Sequence, residues 1–368
     1  MKKAMKEREA EIGDKLATMR RWLALTNAGA IRLRGSDWFS WATAGGSNVV
    51  LLSSETGAAE VLVTPREAYV LTDKIGEDRL RDEEVPVGYQ WHAAPWAEPE
   101  RRELFVTNLA GGARILSDKP GMADEFLPEA FFLERLSINE REQSRYREVG
   151  RLATEAMSEV MRAARPEWTE LDLAGAGAEA LWVRGLHPAL TLAAGARRLL
   201  QYRYPTPTSA RLGNEAMMVF CARGYGLHAN LTRFVRFTKP NEQQLRLQSS
   251  ILVVEAAGLQ ACRTGQPLSS VYHMLDKAYK AQGFPDAIRA HHQGGITGYG
   301  ACELMAMRET AAILQDGMAL AFNPSLPGIK MEDTFLLNAG NLENLTFDPT
   351  WPSVMHGGRQ RPVPLEVE

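Results

Sequence analysis

A connection at residues 119–138, with two prolines and a glycine in its first ten positions, divides the chain into two patterns of apolar residues. Before it, an amphipathic helical pattern at residues 7–28 is followed by short apolar runs separated by turn residues, which is typical of a small sheet with helices. After it, Asn139 and Glu142 form a capping-box pattern that opens a long helix. The 368 residues also exceed what one hydrophobic core usually supports. We therefore predict two domains.

The predicted organisation is a small domain at residues 1–128, a linker at 129–138 and a larger domain at 139–368, with an α/β (α+β) fold. In the first domain, apolar patterning predicts strands at residues 30–34, 48–52, 59–63, 68–71 and 114–117. In the second, it predicts helices at residues 139–164, 169–184, 241–264 and 268–282. Strands of the second domain are predicted at residues 189–193, 216–220 and 227–237.

Composition argues against several classes of function. Lys and Arg number 42 against 45 Asp and Glu, and no basic stripe is present, so nucleic acid is not an expected partner. No apolar window of about 18 residues occurs, and the first ten residues are charged where a signal peptide would be apolar. We expect a cytoplasmic protein with no membrane partner. The three cysteines form no CxxC pair, and Cys221, in an apolar run, is interpreted as an inert core thiol.

The densest group of polar residues lies at residues 290–303 and contains His291, His292, a glycine-rich turn and Glu303. Glycines let a ligand approach the backbone, and histidine exchanges a proton near neutral pH, so this pattern indicates a site. Because neighbouring residues of a strand point to opposite faces, only one of the two histidines is expected to face a pocket. The alternative is that both histidines satisfy backbone groups in a turn.

Two further segments place charged residues beside apolar ones. Lys330 and Glu332 are expected on one face of a strand, where they would present a cation and a carboxylate together; the alternative is a solvated hairpin edge. Residues 220–233 predict a glycine-turned hairpin with Arg223, Asn230 and Arg233 beside the sheet, for which surface decoration is the alternative. The sequence contains no P-loop, Rossmann fingerprint, HExxH or GxSxG motif, so the chemistries that use them lack support.

Taken in this order, the segments resemble the pita-bread family of methionine aminopeptidase, aminopeptidase P, prolidase and creatinase. The resemblance rests on residues 231–233, 294–298 and 329–334, and on an aromatic stretch at residues 37–46. It implies a small N-terminal creatinase-like α/β domain followed by a C-terminal pita-bread domain. It also implies a homodimer, in which residues 38–41 are expected to help wall the partner's pocket, with core packing as the alternative.

Peptidases of this family hold two metal ions with two Asp, one His and two Glu. By the family's spacing, the corresponding positions here are Val219, Asn230, Gly295, Asn323 and Glu332. Four of the five are neutral residues that are poor ligands for hard divalent ions, and one carboxylate cannot hold two such ions close together. We therefore expect neither a metal nor another cofactor.

Other pocket positions of the family persist. His291 takes the place of a substrate-contacting histidine, Lys330 replaces an arginine, and Tyr202, in competition with Tyr204, stands near the position of another histidine. The leading hypothesis is a metal-independent enzyme acting on a small polar molecule or short peptide, by C–N bond hydrolysis or else by elimination or rearrangement. Its predicted catalytic residues are His291, Glu332 and Tyr202. The predicted substrate-binding residues are Lys330, Arg233, Arg223, Asn230, Asn323, Tyr204, Tyr299, His292 and Glu303.

A hypothesis from a different class is a non-catalytic pseudo-peptidase that binds a peptide or protein partner. The related domain of a histone-chaperone subunit resembles a peptidase without its metals in this way. The absence of acidic or basic tails argues against a chromatin role, whereas the clustered His, Lys, Glu and Tyr residues favour a ligand pocket. Residual metal-dependent activity is the third alternative.

Overall fold

A computed structural model describes residues 2–121 and 123–367, and the chain divides into two compact units, Met1–Arg135 and Leu136–Glu368. The helices of the first unit are α1 Lys2–Thr26, α2 Ser36–Ala42, α3 Glu77–Arg79 with a π-helical turn at Leu80–Glu84, α4 Glu100–Ala110 and α5 Glu129–Arg135. Its strands are β1 Ala30–Gly35, β2 Thr56–Val63, β3 Ala68–Asp73, β4 Gln90–Ala94, β5 Ile115–Ser117 and β6 Asp124–Phe126.

These six strands form one mixed sheet in the order β4-β3-β2-β1-β5-β6. Strands β1, β2 and β3 pair antiparallel, whereas β4, β5 and β6 join in parallel. One face of the sheet packs against α4 through a cluster that includes Ala30, Leu62, Leu71 and Val106. Burial of this apolar face stabilises the unit, as the sequence pattern predicts.

Two predictions for the first unit differ from the structure. The apolar run at residues 48–52 is a loop, in which Val50 and Leu51 are 73% and 66% exposed. The buried amide of Asn48 donates to the Ala59 carbonyl at 2.7 Å, and its backbone carbonyl accepts from the Ala58 N–H at 2.8 Å, so Asn48 joins this loop to β2 through both its side chain and its backbone. Residues 129–138, expected as a linker, contain helix α5.

The aromatic stretch after β1 lies inside the first unit. Trp38 and Trp41 are about 95% buried, and their rings lie 5.0 and 5.7 Å from the ring of Phe131 on α5. Arg135 covers Trp38, with its guanidinium carbon 4.3 Å from the ring centroid. The expectation that residues 38–41 wall a partner's pocket was therefore wrong, because the side chains of this stretch are buried in the core of the first unit.

The second unit holds helices α6 Glu140–Ala163, α7 Glu170–Trp182, α8 Ala196–Leu199, α9 Glu242–Ala261 and α10 Leu268–Ala281, with a 3₁₀ turn at Ala287–Arg289. Its longer strands are β7 His187–Gly195, β8 Glu215–Gly224 and β9 Leu227–Arg236. The others are β10 Gly294–Thr297, β11 Leu304–Met305, β12 Ala319–Phe322, β13 Ser325–Leu326, β14 Ile329–Lys330, β15 Asp333–Asn338, β16 Asn341–Asn344, β17 Ser353–His356, β18 Arg359–Pro362 and β19 Leu365–Glu366.

Two sheets form the centre of this unit, with strand orders β19-β9-β8-β7 and β11-β10-β12-β15-β16. Helices α6 and α7 pack on the first sheet, and β9 lies next to β15 of the second. The capping box predicted for α6 is present: the Asn139 side chain accepts from the Glu142 backbone, and Glu142 accepts from the Asn139 backbone at 2.8 Å. No helix in residues 2–121 and 123–367 is long and apolar enough to cross a membrane.

The β8–β9 hairpin is turned by Tyr225 and Gly226, both with positive φ, of 52° and 78°. This pair of left-handed residues matches the twist of the antiparallel strands that it joins. Every residue of both strands is buried. The alternative that the polar residues of this hairpin are surface decoration was therefore wrong.

Candidate functional site

A cavity of about 260 Å³ lies in the second unit where β8, β9, β10 and β12 meet the segment around β14. Much of its wall is apolar, including Leu190, Leu192, Phe220, Ile296, Met305 and Ala321. The polar side chains on the wall are Tyr204, Asn230, His292, Thr297, Asn323, Lys330 and Glu332. An apolar enclosure with a few polar groups is typical of a small-molecule site.

The five positions that spacing relates to metal ligands all line this one cavity. Val219 comes from β8, Asn230 from β9 and Gly295 from β10, whereas Asn323 follows β12 and Glu332 precedes β15. Five separate segments therefore place these positions around one space. These residues belong to or adjoin strands of both sheets of the second unit, so the cavity forms only when the two sheets come together.

Lys330 and Glu332 form a buried ion pair on the wall. The Lys330 ammonium lies 2.8 Å from Glu332 Oε2, with side-chain exposures of 8% and 9%. Thr232 on β9 donates its hydroxyl to the same oxygen at 2.6 Å. Two donors therefore fix one oxygen of the carboxylate, and the lysine supplies the positive charge that a buried carboxylate requires.

The residues present do not fit a dinuclear metal centre. Val219 offers no donor atom, and the Asn230 amide donates to the Thr297 hydroxyl at 3.1 Å. A Cβ at Gly295 would lie 2.0 Å from the Leu304 carbonyl oxygen, so the β10–β11 pairing leaves no room for a histidine there. Within residues 2–121 and 123–367, no group of three or more His, Cys, Asp or Glu side chains could hold a metal ion.

Tyr204 and His292 form a polar contact on the wall, between the tyrosine hydroxyl and His292 Nε2. The Gly294 N–H points at His292 Nδ1 from 3.3 Å, which places the proton of the neutral ring on Nε2, facing the tyrosine oxygen. Burial, and then the charge of Lys330, lower the pKa of His292. Burial, and then the charge of Glu332, raise the pKa of Tyr204. Both groups are therefore neutral near pH 7, and Tyr204 keeps a proton to donate.

His292, and not His291, stands on the cavity wall, which differs from the prediction. The two residues precede β10 in an irregular segment, and their rings stack with centroids 4.6 Å apart instead of pointing to opposite faces. The rule of alternation applies to extended strands, so it does not hold here. His291 is buried behind the wall, and burial, followed by the charge of Lys330, lowers its pKa to about 3.

Tyr202 is also absent from the wall. Its side chain is 49% exposed and lies 5.1 Å from the guanidinium carbon of Arg198. Tyr204, two residues later, takes the wall position instead. The choice between the two tyrosines depended on register, and the structure places the second one at the cavity.

Three predicted binding residues have structural contacts elsewhere. Arg233 donates to Asp333 Oδ1 at 2.8 Å and to the Thr346 carbonyl at 2.7 Å, and all three residues are buried. The Tyr299 hydroxyl donates to Glu142 at 2.8 Å, and Glu303 accepts from the Gly300 backbone at 2.7 Å. These hydrogen bonds within the protein explain the positions of the three side chains without a ligand.

Arg223 likewise lies away from the wall, opposite His228 in the β8–β9 register. The structure thus brings together Tyr204, His292, Asn230, Asn323, Lys330 and Glu332, and leaves His291, Tyr202, Arg223, Arg233, Tyr299 and Glu303 outside the wall.

Sequence reasoning missed three contributors. Thr232 holds Glu332, although it could have been noticed because it lies beside Asn230 in the segment that carries the resemblance. Cys221 and Cys302 both line the cavity. Burial raises the pKa of Cys221 to about 12, so the group remains a thiol near neutral pH, as expected of an unreactive cysteine.

Comparisons with known proteins bear on the family and the fold of the chain. Residues 144–339 match the model of metallopeptidase family M24. An uncharacterized peptidase of Staphylococcus aureus (strain bovine RF122 / ET3-1) is 24% identical over 149 residues, which cover 38% of this chain and 42% of that protein. The match therefore spans less than half the length of that relative.

The fold is similar to the prolidase from Pyrococcus horikoshii OT3, with a TM-score of 0.77 and 14% identity over 91% of this chain and 98% of that chain. It is also similar to the N-terminal domain of FACT complex subunit SPT16 from chickpea (Cicer arietinum), with a TM-score of 0.69 and 11% identity over 92% and 96%. These likenesses confirm the predicted α+β fold. Since that family model covers more than half of the chain, the chain belongs to metallopeptidase family M24.

Proposed function

We propose that this chain is a metal-independent hydrolase that cleaves a C–N bond in a small amide or short peptide held in the cavity. The observation that carries the proposal is the ion pair of Lys330 with Glu332, at 2.8 Å, on the wall formed by the family's ligand positions. An ammonium group there is the counter-ion of the one carboxylate among those positions. The carboxylate is thus available for proton transfer instead of ligation.

Glu332 is the proposed general base. Its Oε2 is held by Lys330 and Thr232, and no hydrogen bond from residues 2–121 and 123–367 reaches its Oε1. A water molecule attacks the carbonyl carbon of the ligand, and Oε1 accepts one proton from that water. When the C–N bond breaks, Glu332 returns the proton to the leaving nitrogen. The water oxygen ends on the carbonyl carbon as part of a carboxylic acid, and the amine leaves with the proton.

Tyr204 is the proposed donor to the carbonyl oxygen, where negative charge develops. Its oxygen receives the His292 Nε2 proton, which leaves the phenolic hydrogen to point into the cavity. A neutral donor held in a fixed position stabilises a developing oxyanion more than water does, because water must reorient to do so. In this arrangement His292 is a positioning residue that fixes Tyr204, and the acid/base role predicted for His291 passes to Glu332.

The likeness to the prolidase fold directs the choice of first substrates, which are Xaa-Pro dipeptides and small N-substituted amides. The purified protein would be incubated with this panel in the presence of a chelator, and release of the amine followed by mass spectrometry. Glu332→Gln and Tyr204→Phe are expected to lower kcat about 100-fold or more. Tyr202→Phe is the matched control, because Tyr202 is about as exposed as Tyr204 but lies off the wall.

Full activity in both Glu332→Gln and Tyr204→Phe would contradict the proposed roles. Activity that disappears with the chelator and returns with a divalent ion would contradict metal independence. The second candidate function, a non-catalytic binding module, is favoured by the similarity of fold to the N-terminal domain of the FACT subunit. It would be supported if panel members raise the melting temperature without being cleaved.

A further inference from the structure

A second cavity, of about 370 Å³, lies in the second unit between the start of α9, helix α8 and the turn that joins β13 to β14. In the described part of the chain, its wall and the wall of the first cavity share no residue. The two cavities are therefore separate spaces, and a ligand of the second need not resemble a ligand of the first.

A buried arginine on this wall has one nitrogen without a partner. Arg236 is 3% exposed; its Nε donates to Glu215 Oε1 at 2.7 Å, and its Nη1 donates to Gln248 Oε1 at 2.9 Å. Its Nη2 makes no hydrogen bond with residues 2–121 and 123–367 and is not enclosed by protein atoms. Because the side chain lines the cavity and is otherwise buried, Nη2 is open to the cavity. This nitrogen can donate to an acceptor from outside the chain.

The charges on the wall do not cancel. Glu215 accepts from Arg236 through Oε1 and from the Gln244 side chain through Oε2 at 2.9 Å, so both of its oxygens are occupied. Arg197 on α8 also lines the wall, is exposed and forms no ion pair with the described residues. Two arginines and one glutamate leave one positive charge, which a monoanion would compensate.

The N-terminus of α9 adds to this positive field. Asn241 at its N-cap accepts from the Gln244 N–H at 2.9 Å. The N–H groups of Glu242 and Gln243 have no acceptor inside the helix. Gln243 lines the cavity, whereas the Glu242 side chain is exposed and lies off the wall. The positive end of this 20-residue helix favours an anion beside the open nitrogen of Arg236.

Apolar side chains complete the wall. They belong to Ala196, Leu199, Leu200, Leu247, Pro327 and Ile329. Leu199 and Ile329 are 4% and 5% exposed, whereas Leu200 is 63% exposed. A ligand with an apolar body would cover Leu200 and remove its side chain from water, which is favourable.

We infer that this cavity binds a small monocarboxylate with an apolar body. The carboxylate accepts from Arg236 Nη2 and from the N–H groups at the start of α9, and Arg197 supplies the compensating charge. The apolar body packs against Leu200 and Leu247. A carboxylate carries one negative charge near neutral pH, as the wall requires, whereas a phosphate ester carries about 1.5 to 2. The inference is independent of the proposed function, because no residue assigned to that reaction lines this cavity.

The test uses sodium hexanoate at constant ionic strength, with hexanamide as its neutral counterpart and acetate as its counterpart without an apolar body. The full chain, labelled with ¹³C at the δ1 methyl groups of isoleucine, would be titrated by NMR. Ile329 lines this cavity and Ile296 lines the first one, and Ile329→Val and Ile296→Val assign the two signals. Hexanoate is expected to move the Ile329 signal and not the Ile296 signal. Hexanamide and acetate are expected to bind about tenfold more weakly or less tightly still.

Arg197→Gln is expected to weaken hexanoate binding about threefold or more, because the compensating charge is lost. Arg246→Gln is the matched control and should leave the affinity unchanged, since Arg246 is an exposed arginine of α9 that lies off the wall. Arg236→Gln alone would leave the Glu215 carboxylate without a counter-ion, so it is combined with Glu215→Gln. The double variant is expected to bind hexanoate about tenfold more weakly or less tightly still, with the Ile296 signal unchanged because the fold is intact.

No response of the Ile329 signal in the wild type, an equal response to hexanamide or acetate, or a shift of the Ile296 signal alone would overturn the inference. Equal hexanoate affinity in the wild type and Arg197→Gln would also overturn it, and this comparison decides if the double variant does not fold. Inorganic phosphate is the last ligand of the titration. Phosphate binding as tight as that of hexanoate would contradict the assignment to a monocarboxylate with an apolar body.

Discussion

The ammonium group of Lys330 lies 2.8 Å from Oε2 of Glu332, and more than nine-tenths of each side chain is buried. Two such charges tolerate removal from water because each compensates the other. Their separation of two residues places them on the same side of the chain as it leaves β14. The pair therefore controls both the charge inside the cavity and the stability of its wall.

Removing one partner should be more harmful than removing both. Lys330→Met leaves the Glu332 carboxylate buried without a counter-ion, and we expect the free energy of unfolding to fall by about 3–5 kcal/mol. Lys330→Met combined with Glu332→Gln should recover much of this loss, because no buried charge remains. Urea denaturation of the four proteins in the cycle measures the coupling. A double variant no more stable than Lys330→Met would contradict this account.

The purified protein should carry no stoichiometric metal. The side chains of Val219 and Gly295 supply no donor atom, and the site around them does not fit the two ions of the family's peptidases. Elemental analysis after dialysis against metal-free buffer measures this directly. One or more equivalents of manganese, zinc, cobalt or iron per chain, lost together with activity on chelation, would show that the prediction is wrong.

The free energy of unfolding should fall at acid pH, because His291 is neutral in the folded chain and binds a proton when the chain unfolds. Its pKa is about 3 in the folded chain, with burial as the main cause, whereas an unfolded histidine titrates near pH 6.5. Between these values the unfolded chain binds the additional proton, so stability rises with pH across this window and is fully present above about pH 6.5. Each linked proton contributes a slope of about 1.4 kcal/mol per pH unit.

The difference between wild type and His291→Asn isolates this contribution from the carboxylates that also titrate at low pH. Melting temperatures at several pH values between about 4 and 7 would be compared. The wild type should lose more stability than His291→Asn as the pH falls. Parallel curves for the two proteins would show that His291 is not buried as a neutral group.

The buried network around Asp333 should be structural. Asp333 accepts from Arg233 at 2.8 Å and pairs with Arg361 at the same distance, and Arg361 also pairs with Glu255. Burial opposes ionisation of Asp333, but the two guanidinium groups outweigh it and hold the pKa of Asp333 below its usual range. The stabilisation of the fold by the ionised Asp333 is present above the unfolded pKa of about 3.9. It is lost as the pH falls through the pKa of Asp333 in the folded chain.

Asp333→Asn is therefore expected to lower the free energy of unfolding by about 3–5 kcal/mol near neutral pH. Asp276→Asn, which breaks an exposed pair with Lys280 on α10, should cost about 1 kcal/mol or less. Denaturant titration measures both. Equal losses in the free energy of unfolding for the two substitutions would mean that the Asp333 network stabilises the fold no more than an exposed ion pair does.

Local patterns in the sequence predicted a large part of the fold. The capping box at Asn139 and the glycine turn at Tyr225–Gly226 were predictable because their partners lie within a few residues. Short apolar runs were less informative. Residues 48–52 have the composition of a strand, yet they form a loop because a strand also requires an edge with which to pair.

The sequence determined which residue types are available at the site: a lysine and a glutamate two positions apart, and neutral residues at four positions that spacing relates to the family's metal ligands. It did not determine which side chains meet. His292 instead of His291, Tyr204 instead of Tyr202, and Arg233 paired with Asp333 instead of a ligand all depend on segments far apart in the chain. Side-chain direction in irregular segments follows from packing and from buried charge finding its partner, and both arise only when the two sheets come together.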